Sequence, residues 1–355
     1  MDALTGSEGI FVKDFSKAGQ LAATDGAAPR SDRSRAPVFV LGCPRSGTTL
    51  LYHMLLSAGG FAIYRTESSV FNVLRPCFGD LAHAENRRRL MDAWTQSKLF
   101  ERSGLDMQDI RTKVMSDCRS AGDFLRIVME EISRRQNVAR WADCTPEHLL
   151  YIPEIKKAFP SALVIHIIRD GRDVALSLEK QRWIRPLLPG SESPLLAAGF
   201  FWEWIVRHGR AYGRDIAPDY LEIRFEELVR SPRETLRTVS TFIEHDLDYD
   251  RIQERAIGSV KNPNTSFEAS PRGADFAPVE RWKAIFPGDN LAKFEELVGG
   301  TLRDLGYALS CEAGLRPNSL AALRSIHHLR FDSSLWLKKH TPLARLFMKP
   351  DLSWL

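Results

Sequence analysis

Apolar residues fall into two kinds of run along this chain. Val38–Leu41 is four apolar residues without a polar break, as in a strand buried on both faces, and Leu50, Leu51, Met54 and Leu55 then recur at helical spacing. A loop rich in Gly, Pro and Ser lies between them, so residues 37–51 are expected to run strand, tight loop, helix. The pattern returns at Ala162–Ile168, an apolar strand that ends at Arg169, turns through Gly171 and enters a helix carrying Ser177. Phe61–Tyr64 reads as a short strand and Tyr220–Arg224 as another.

Helical periods fill much of the rest. Leu90, Ala93 and Trp94, then Phe124, Ile127, Val128 and Ile132, mark amphipathic helices over 75–137, an insertion packed over the sheet's edge. Thr145-Pro146-Glu147 predicts a helix start with a hydroxyl cap, and Ser231-Pro232-Arg233-Glu234 predicts a capping box. Pro194–Val206 falls short of the ~20 apolar residues a membrane span needs and is broken by Glu203, so a buried helix is expected. Gly306 reads as the residue just past a closing helix. Residues 1–35 show no sustained apolar period and read as a flexible arm. Residues 311–355 mix Arg324, Arg330, Lys338, Lys339 and Arg345 with Phe331, Trp336, Leu343 and Trp354, an aromatic and basic helical tail.

Charge and cysteine usage narrow the class. A net charge of +4 over 355 residues suits anionic small molecules and does not argue for nucleic acid. The five cysteines are scattered, without C-x-x-C spacing, as in a reduced, intracellular chain with no structural zinc. The start has neither a basic n-region nor an apolar h-region, so a cytoplasmic protein is expected. Arg87-Arg88-Arg89 reads as a solvated helix face.

The loop carries the chemistry. After a strand and before a helix, its backbone N–H groups converge on one point, where the helix dipole adds positive potential and a phosphate can be held. A nucleoside-triphosphate loop reads G-x-x-x-x-G-K-[ST], its Lys on the β/γ-phosphates and its hydroxyl on Mg²⁺. Gly42 and Gly47 have that spacing, but Thr48 stands in the Lys position and the only cation, Arg45, lies inside the loop. A kinase or NTPase is therefore the weaker reading, and Asp170 after its strand has no Walker A Lys to complement.

Pro44–Leu50, PRSGTTL, matches P-[KR]-[ST]-G-T-[TS]-[LW] at every position, and Arg169 and Ser177 keep a separation of eight. In both motifs, across roughly residues 36–308, the chain resembles the sulfotransferases that use 3′-phosphoadenosine 5′-phosphosulfate (PAPS), of the tyrosylprotein and bacterial type. The resemblance implies an α/β fold: a P-loop-like three-layer α/β/α domain over 36–310 with a mostly parallel central sheet and helical insertions. It implies PAPS as cosubstrate, held by Arg45, Ser46, Gly47, Thr48 and Thr49 at the 5′ side and by Arg169 and Ser177 at the 3′-phosphate. Phe225 would flank adenine, and Arg272 loosely matches a loop that reaches the 3′-phosphate. Glu67, just after the second strand, would be the base, with His148 as a second candidate. Cys144 stands where relatives often carry a Lys, which leaves Arg45 to meet the transition-state charge.

The implied activity is in-line transfer of a sulfuryl group to a hydroxyl or amine on a small molecule, glycan or peptide, with no metal. A nucleotide-binding protein of this fold that has lost the chemistry is the alternative from another class. For the tail, the expected occupants are its own domain, a second copy in a homodimer, or the surface of an anionic membrane.

Overall fold

The computed structural model describes residues 33–187, 193–261, 278–286, 288–310, 319–343, 345 and 352. Its sheet has four strands, β1 (Val38–Leu41), β2 (Ala142–Asp143), β3 (Leu163–Ile168) and β4 (Tyr220–Arg224), in the order β2-β1-β3-β4 and parallel throughout. Val38 pairs with Ala142 on one side and Leu163 on the other. Side chains divide by parity, as strand geometry requires. Val38, Val40, Leu163, Ile165 and Ile167 enter one core, and Phe39, Leu41, Val164 and Ile168 the other. Both faces are covered, which is why these strands read as unbroken apolar runs.

In chain order the first helices are α1 (Thr48–Ala58), α2 (Arg75–Phe78), α3 (Ala84–Trp94), α4 (Lys98–Ser103), α5 (Met107–Asp117), α6 (Ala121–Arg135), α7 (Ile152–Ala158) and α8 (Gly171–Gln181). They are followed by α9 (Pro194–Asp215), α10 (Phe225–Arg230), α11 (Pro232–Ile243), α12 (Tyr249–Arg255), α13 (Trp282–Ile285), α14 (Gly288–Asp304) and α15 (Ser319–His340). The core containing Val38 takes its helical side from α1, α10, α11 and α12; the other takes it from α3 to α9 and α14. The expected three-layer, parallel α/β arrangement is therefore observed, and helices α2 to α6 lie between Arg75 and Arg135.

Several local expectations are corrected. Phe61–Tyr64 is not a strand. Only Phe61 bridges to Arg140, and the next backbone groups go to a side chain: Ile63 N donates to Gln136 Oε1, and Gln136 Nε2 donates to Ile63 O. Thr145 precedes a 3₁₀ turn over Pro146–Tyr151 and does not cap it, because its hydroxyl donates to Asp143 and accepts from Ser69 N. Ser231 makes no side-chain cap either. The buried helix expected from Pro194 runs on to Asp215. Arg87 is not solvated but buried, donating to Leu81 O and Ala82 O, while Arg88 pairs with Glu85.

The tail packs on the domain between residues 319 and 340. Glu203, the acid that interrupts α9, is buried and accepts from Thr301 Oγ1 at 2.7 Å and from Arg324 Nε and Nη2 of α15, both at 2.7 Å. Burial alone would raise the Glu203 carboxyl; contacts from His328, Thr301 and Arg324 outweigh it and hold it below the usual range. Lys339 donates to Leu150 O and lies 3.1 Å from Glu154. No helix among the described residues is long and apolar enough to cross a membrane.

Candidate active site

β1 delivers the chain into the loop 42–47 at the C-terminal edge of the sheet, and α1 leaves it at Thr48. Two residues turn through the left-handed region, Arg45 at φ 75° and Gly47 at φ 98°. Gly47 is required twice over. A side chain there would be strained, and its Cβ would collide with Phe225 Cδ2, at the edge of a ring that closes against the loop. Leu50 N and Leu51 N donate to Gly47 O, so α1 begins directly on the loop and its free N–H groups face into it. Ser46 Oγ is fully buried and has no protein partner, an orphaned donor inside the loop. Thr48 is buried beside it and Thr49 is exposed.

The second motif closes on the first. Arg45 Nε donates to Ser177 Oγ of α8 at 2.9 Å, and Arg169 Nη1, at the end of β3, donates to Arg45 O at 3.1 Å. Arg169 is 3% exposed. Its guanidinium stacks over the Phe225 ring at 4.6 Å, donates to Pro278 O at 2.6 Å and lies 3.8 Å from Asp173, yet its Nε has no partner. Residues 45, 169 and 177, far apart in sequence, thus form one hydrogen-bonded unit. Phe225 is 2% exposed. Its ring supports the loop and Arg169 from beneath, and does not present a face for a base to stack on.

Beside this unit opens a cavity of about 420 Å³ lined by Arg169, Asp173, Ser177, Lys180, Arg182 and Arg281, among others. Asp173 organises its far wall by accepting from Glu280 N and Trp282 N, which fixes Arg281 between them. Burial pushes the Asp173 carboxyl up to about 6 against the pull of Arg169. No motif in the sequence marks Lys180 or Arg182. For Arg281 the signal was present in Glu280-Arg281-Trp282-Lys283, a segment that matches one near the end of the resembled domain. Arg272 lies outside the described residues.

Near Arg45 stands Glu67. Its segment is pinned where Ser68 N donates to Asp143 Oδ1 and Ser69 N to Thr145 Oγ1. Glu67 is exposed to solvent, and Arg45 is the cation that acts on it. Burial, with the negative charges of Asp143 and Glu147, pushes its carboxyl up to about 7 despite Arg45. Cys144 lies beneath, its Sγ 4.0 Å from Thr66 O. Burial, then Asp143 and Glu67, push this thiol well above its usual range, so it is neutral and supplies no positive charge.

His148 is corrected. It is fully buried, with Nδ1 2.9 Å from Asp143 Oδ2 and Nε2 accepting from Phe71 N at 3.1 Å, a network that assigns the proton to Nδ1. With both nitrogens committed, it is a structural residue that holds the chain after Glu67, not a second base. Among the described residues no group of three His, Cys, Asp or Glu side chains is arranged to hold a metal ion.

The parallel sheet, covered on both faces, with its tight loop between β1 and α1, defines an α/β protein of the P-loop-like class. The chain belongs to the sulfotransferase family, whose model matches residues 37–249, more than half its length, and is a transferase of sulfur-containing groups. A Caenorhabditis briggsae protein, named provisionally as a protein-tyrosine sulfotransferase, is 24% identical over 77% of this chain and 89% of its own. An uncharacterised Aquifex aeolicus protein is 24% identical over 72% of this chain, which spans only 31% of that protein's length. Among solved structures, the sulfotransferase domain from the curacin biosynthetic pathway superposes with a TM-score of 0.55 at 18% identity. That alignment covers 77% of this chain and 98% of the domain, and shows the shared fold.

Proposed function

We propose that the protein transfers a sulfuryl group from PAPS to a hydroxyl or amine of an acceptor and releases 3′,5′-ADP. The observation that carries this reading is the unit made by Arg45, Arg169 and Ser177. It joins the loop to a cationic cavity, as a ligand with phosphate at both ends would need. The residues fit such a ligand. The orphaned Ser46 Oγ and the N–H groups at the start of α1 suit a 5′-phosphate; Arg169, whose Nε lacks a partner, and Arg281 suit a 3′-phosphate. PAPS supplies the activated sulfuryl group.

The chain's own residues do the rest. Glu67 takes the proton from the acceptor as the acceptor atom forms its bond to sulfur and the bond to the 5′-phosphate oxygen breaks. Arg45 and the loop N–H groups stabilise the negative charge left on that oxygen. A carboxylate near 7 is matched to this task, a role worth ~10²–10⁴ in rate. The burial of Cys144 as a neutral thiol leaves Arg45 as the cation facing Glu67.

Thermal unfolding with 3′,5′-ADP, PAPS, or ATP with Mg²⁺ tests the reading, since a ligand held only by the folded state adds about 2.7 kcal/mol at a hundredfold excess over Kd. Stabilisation by the first two without metal supports it. Stabilisation by ATP with Mg²⁺ alone overturns it in favour of a kinase or NTPase. Binding of 3′,5′-ADP with no turnover of PAPS across an acceptor screen identifies a nucleotide-binding protein that lacks the chemistry.

A further inference from the structure

Exposed large apolar side chains are concentrated on one helix. Of the eight among the described residues, five belong to α15 and the turn after it: Ile326, Leu329, Trp336, Leu337 and Leu343. At 100° per residue, Ile326, Leu329, Arg330, Ser333, Trp336 and Leu337 share an arc of about 120°. Leu329 is 66% and Trp336 57% exposed. The opposite arc is committed to the domain. Arg324 pairs with Glu203, His327 is buried, Phe331 and Leu335 pack on the core, and Lys339 reaches Leu150 and Glu154. The outward arc carries no acid. The only acid of α15, Asp332, borders the arc with its side chain half-exposed, accepting from Trp204 Nε1 at 2.8 Å and lying 3.4 Å from His208 Nε2.

Where the arc ends, a cleft of about 370 Å³ begins, lined by Arg75, Arg119, Lys338, Lys339, His340 and Arg345, among others, with Asp80 its one carboxylate. Asp80 accepts from Ala82 N and lies 3.8 Å from His83. Arg75 Nη1 is buried without a partner, and Lys338 and Arg345 make no ion pair among the described residues. Arg345 lies across Gly79, where any Cβ would displace its guanidinium. The surface therefore joins an apolar strip to a cationic recess. A second copy docked symmetrically here would set basic residues against basic residues. Anionic headgroups over an acyl layer match both parts.

We propose that α15 and this cleft bind the surface of an anionic phospholipid bilayer, with the apolar arc at the acyl boundary and the cleft on headgroup phosphates. None of the residues placed at the loop takes part, so the proposal stands apart from the transfer reaction. The test is co-sedimentation of the full chain with vesicles of phosphatidylcholine alone and of phosphatidylcholine with phosphatidylglycerol. Binding is expected to the anionic vesicles only and to weaken with salt. Lys338→Ala and Arg345→Ala should each lower partition about fivefold. Leu329→Glu with Trp336→Glu should abolish it while leaving the unfolding temperature and 3′,5′-ADP binding unchanged. The proposal is overturned by equal binding to neutral vesicles, by no binding to either, or by variants that bind as wild type. A dimer that Leu329→Glu with Trp336→Glu converts to monomer would assign the face to a second copy instead. Retention of inorganic phosphate in the cleft without vesicle binding would assign the recess to a free anion.

Discussion

If Glu67 is the base, the pH dependence of turnover reports its surroundings. A carboxyl at its ordinary value is almost wholly ionised from pH 6 to 8, and kcat/KM would be flat there. With the carboxyl pushed up to about 7, kcat/KM should instead fall roughly tenfold for each unit of pH below that value. Glu147 contributes to the shift, and its Oε2 accepts from Asn72 Nδ2, a contact that Gln retains. Glu147→Gln should therefore move the acid limb down by roughly half a unit to one unit, a modest figure because solvent reaches Glu67. Glu67→Gln should lose turnover by ~10²–10⁴ and keep 3′,5′-ADP binding.

Stability should move the other way. The folded protein holds the Glu67 proton more tightly than the unfolded chain does, so this group costs stability as pH rises from its ordinary value of 4.5 towards about 7. Glu67→Gln should accordingly unfold at a higher temperature than wild type at pH 8. The assays are initial rates from pH 5.5 to 8.5 for the three proteins and thermal unfolding across the same range. A wild-type limb near 4.5, an unmoved limb in Glu147→Gln, or a Glu67→Gln protein that is both active and less stable would refute the assignment.

Three further outcomes are expected. Arg169→Ala should weaken 3′,5′-ADP binding roughly 10- to 100-fold by calorimetry, since a buried, charge-assisted contact is lost; unchanged affinity would count against the cavity as the nucleotide site. Gly47→Ala should destabilise by about 2–4 kcal/mol in denaturant unfolding, from its positive φ and the collision with Phe225, and should lower nucleotide affinity because the ring can no longer close on the loop. Arg324→Ala should cost about 1.5–3 kcal/mol by taking the guanidinium from a buried carboxylate left with Thr301 and His328 alone. The wild-type pairing depresses the Glu203 carboxyl, so its contribution is present above the ordinary carboxylate range and lost as pH falls through the folded value; the gap between the two proteins should narrow in acid.

The legible parts of this chain are those where local pattern and tertiary role coincide. β1 and β3 are unbroken apolar runs because both faces of the sheet are covered, and the loop announces itself because only Gly at 47 tolerates both the turn and Phe225. What failed was set by long-range side-chain contacts. Gln136 takes the backbone groups of Ile63 that a strand would have paired, Asp143 takes the hydroxyl of Thr145 that would have capped a helix, and Arg87 turns inward to carbonyls instead of outward to water. Glu203 looked like an interruption in an apolar helix because its partner, Arg324, lies 121 residues on. The segment of Arg281 carries a local signal, but its place at the sheet edge is set by contacts from Asp173, Arg169 and Arg172, more than a hundred residues before it.

Asp143 shows why the base candidate could be located from sequence but not characterised. It ends β2, and it receives Ser68 N, Thr145 N and Oγ1, and His148 Nδ1. Burial alone would raise it; the pairing with His148 and these donors outweigh burial and keep it ionised. The same carboxylate therefore does two things. Through Ser68 it fixes the segment that carries Glu67, and through its charge it raises Glu67 towards neutrality. His148 enters the chemistry only at this remove, by keeping Asp143 negative and in place. A neutral Asp143→Asn should then lower the Glu67 limb as Glu147→Gln does, but unlike Glu147→Gln it should also destabilise the fold, because it breaks a buried, hydrogen-bonded network. Coincidence of the two effects in Asp143→Asn and their separation in Glu147→Gln would distinguish tuning from positioning at one residue.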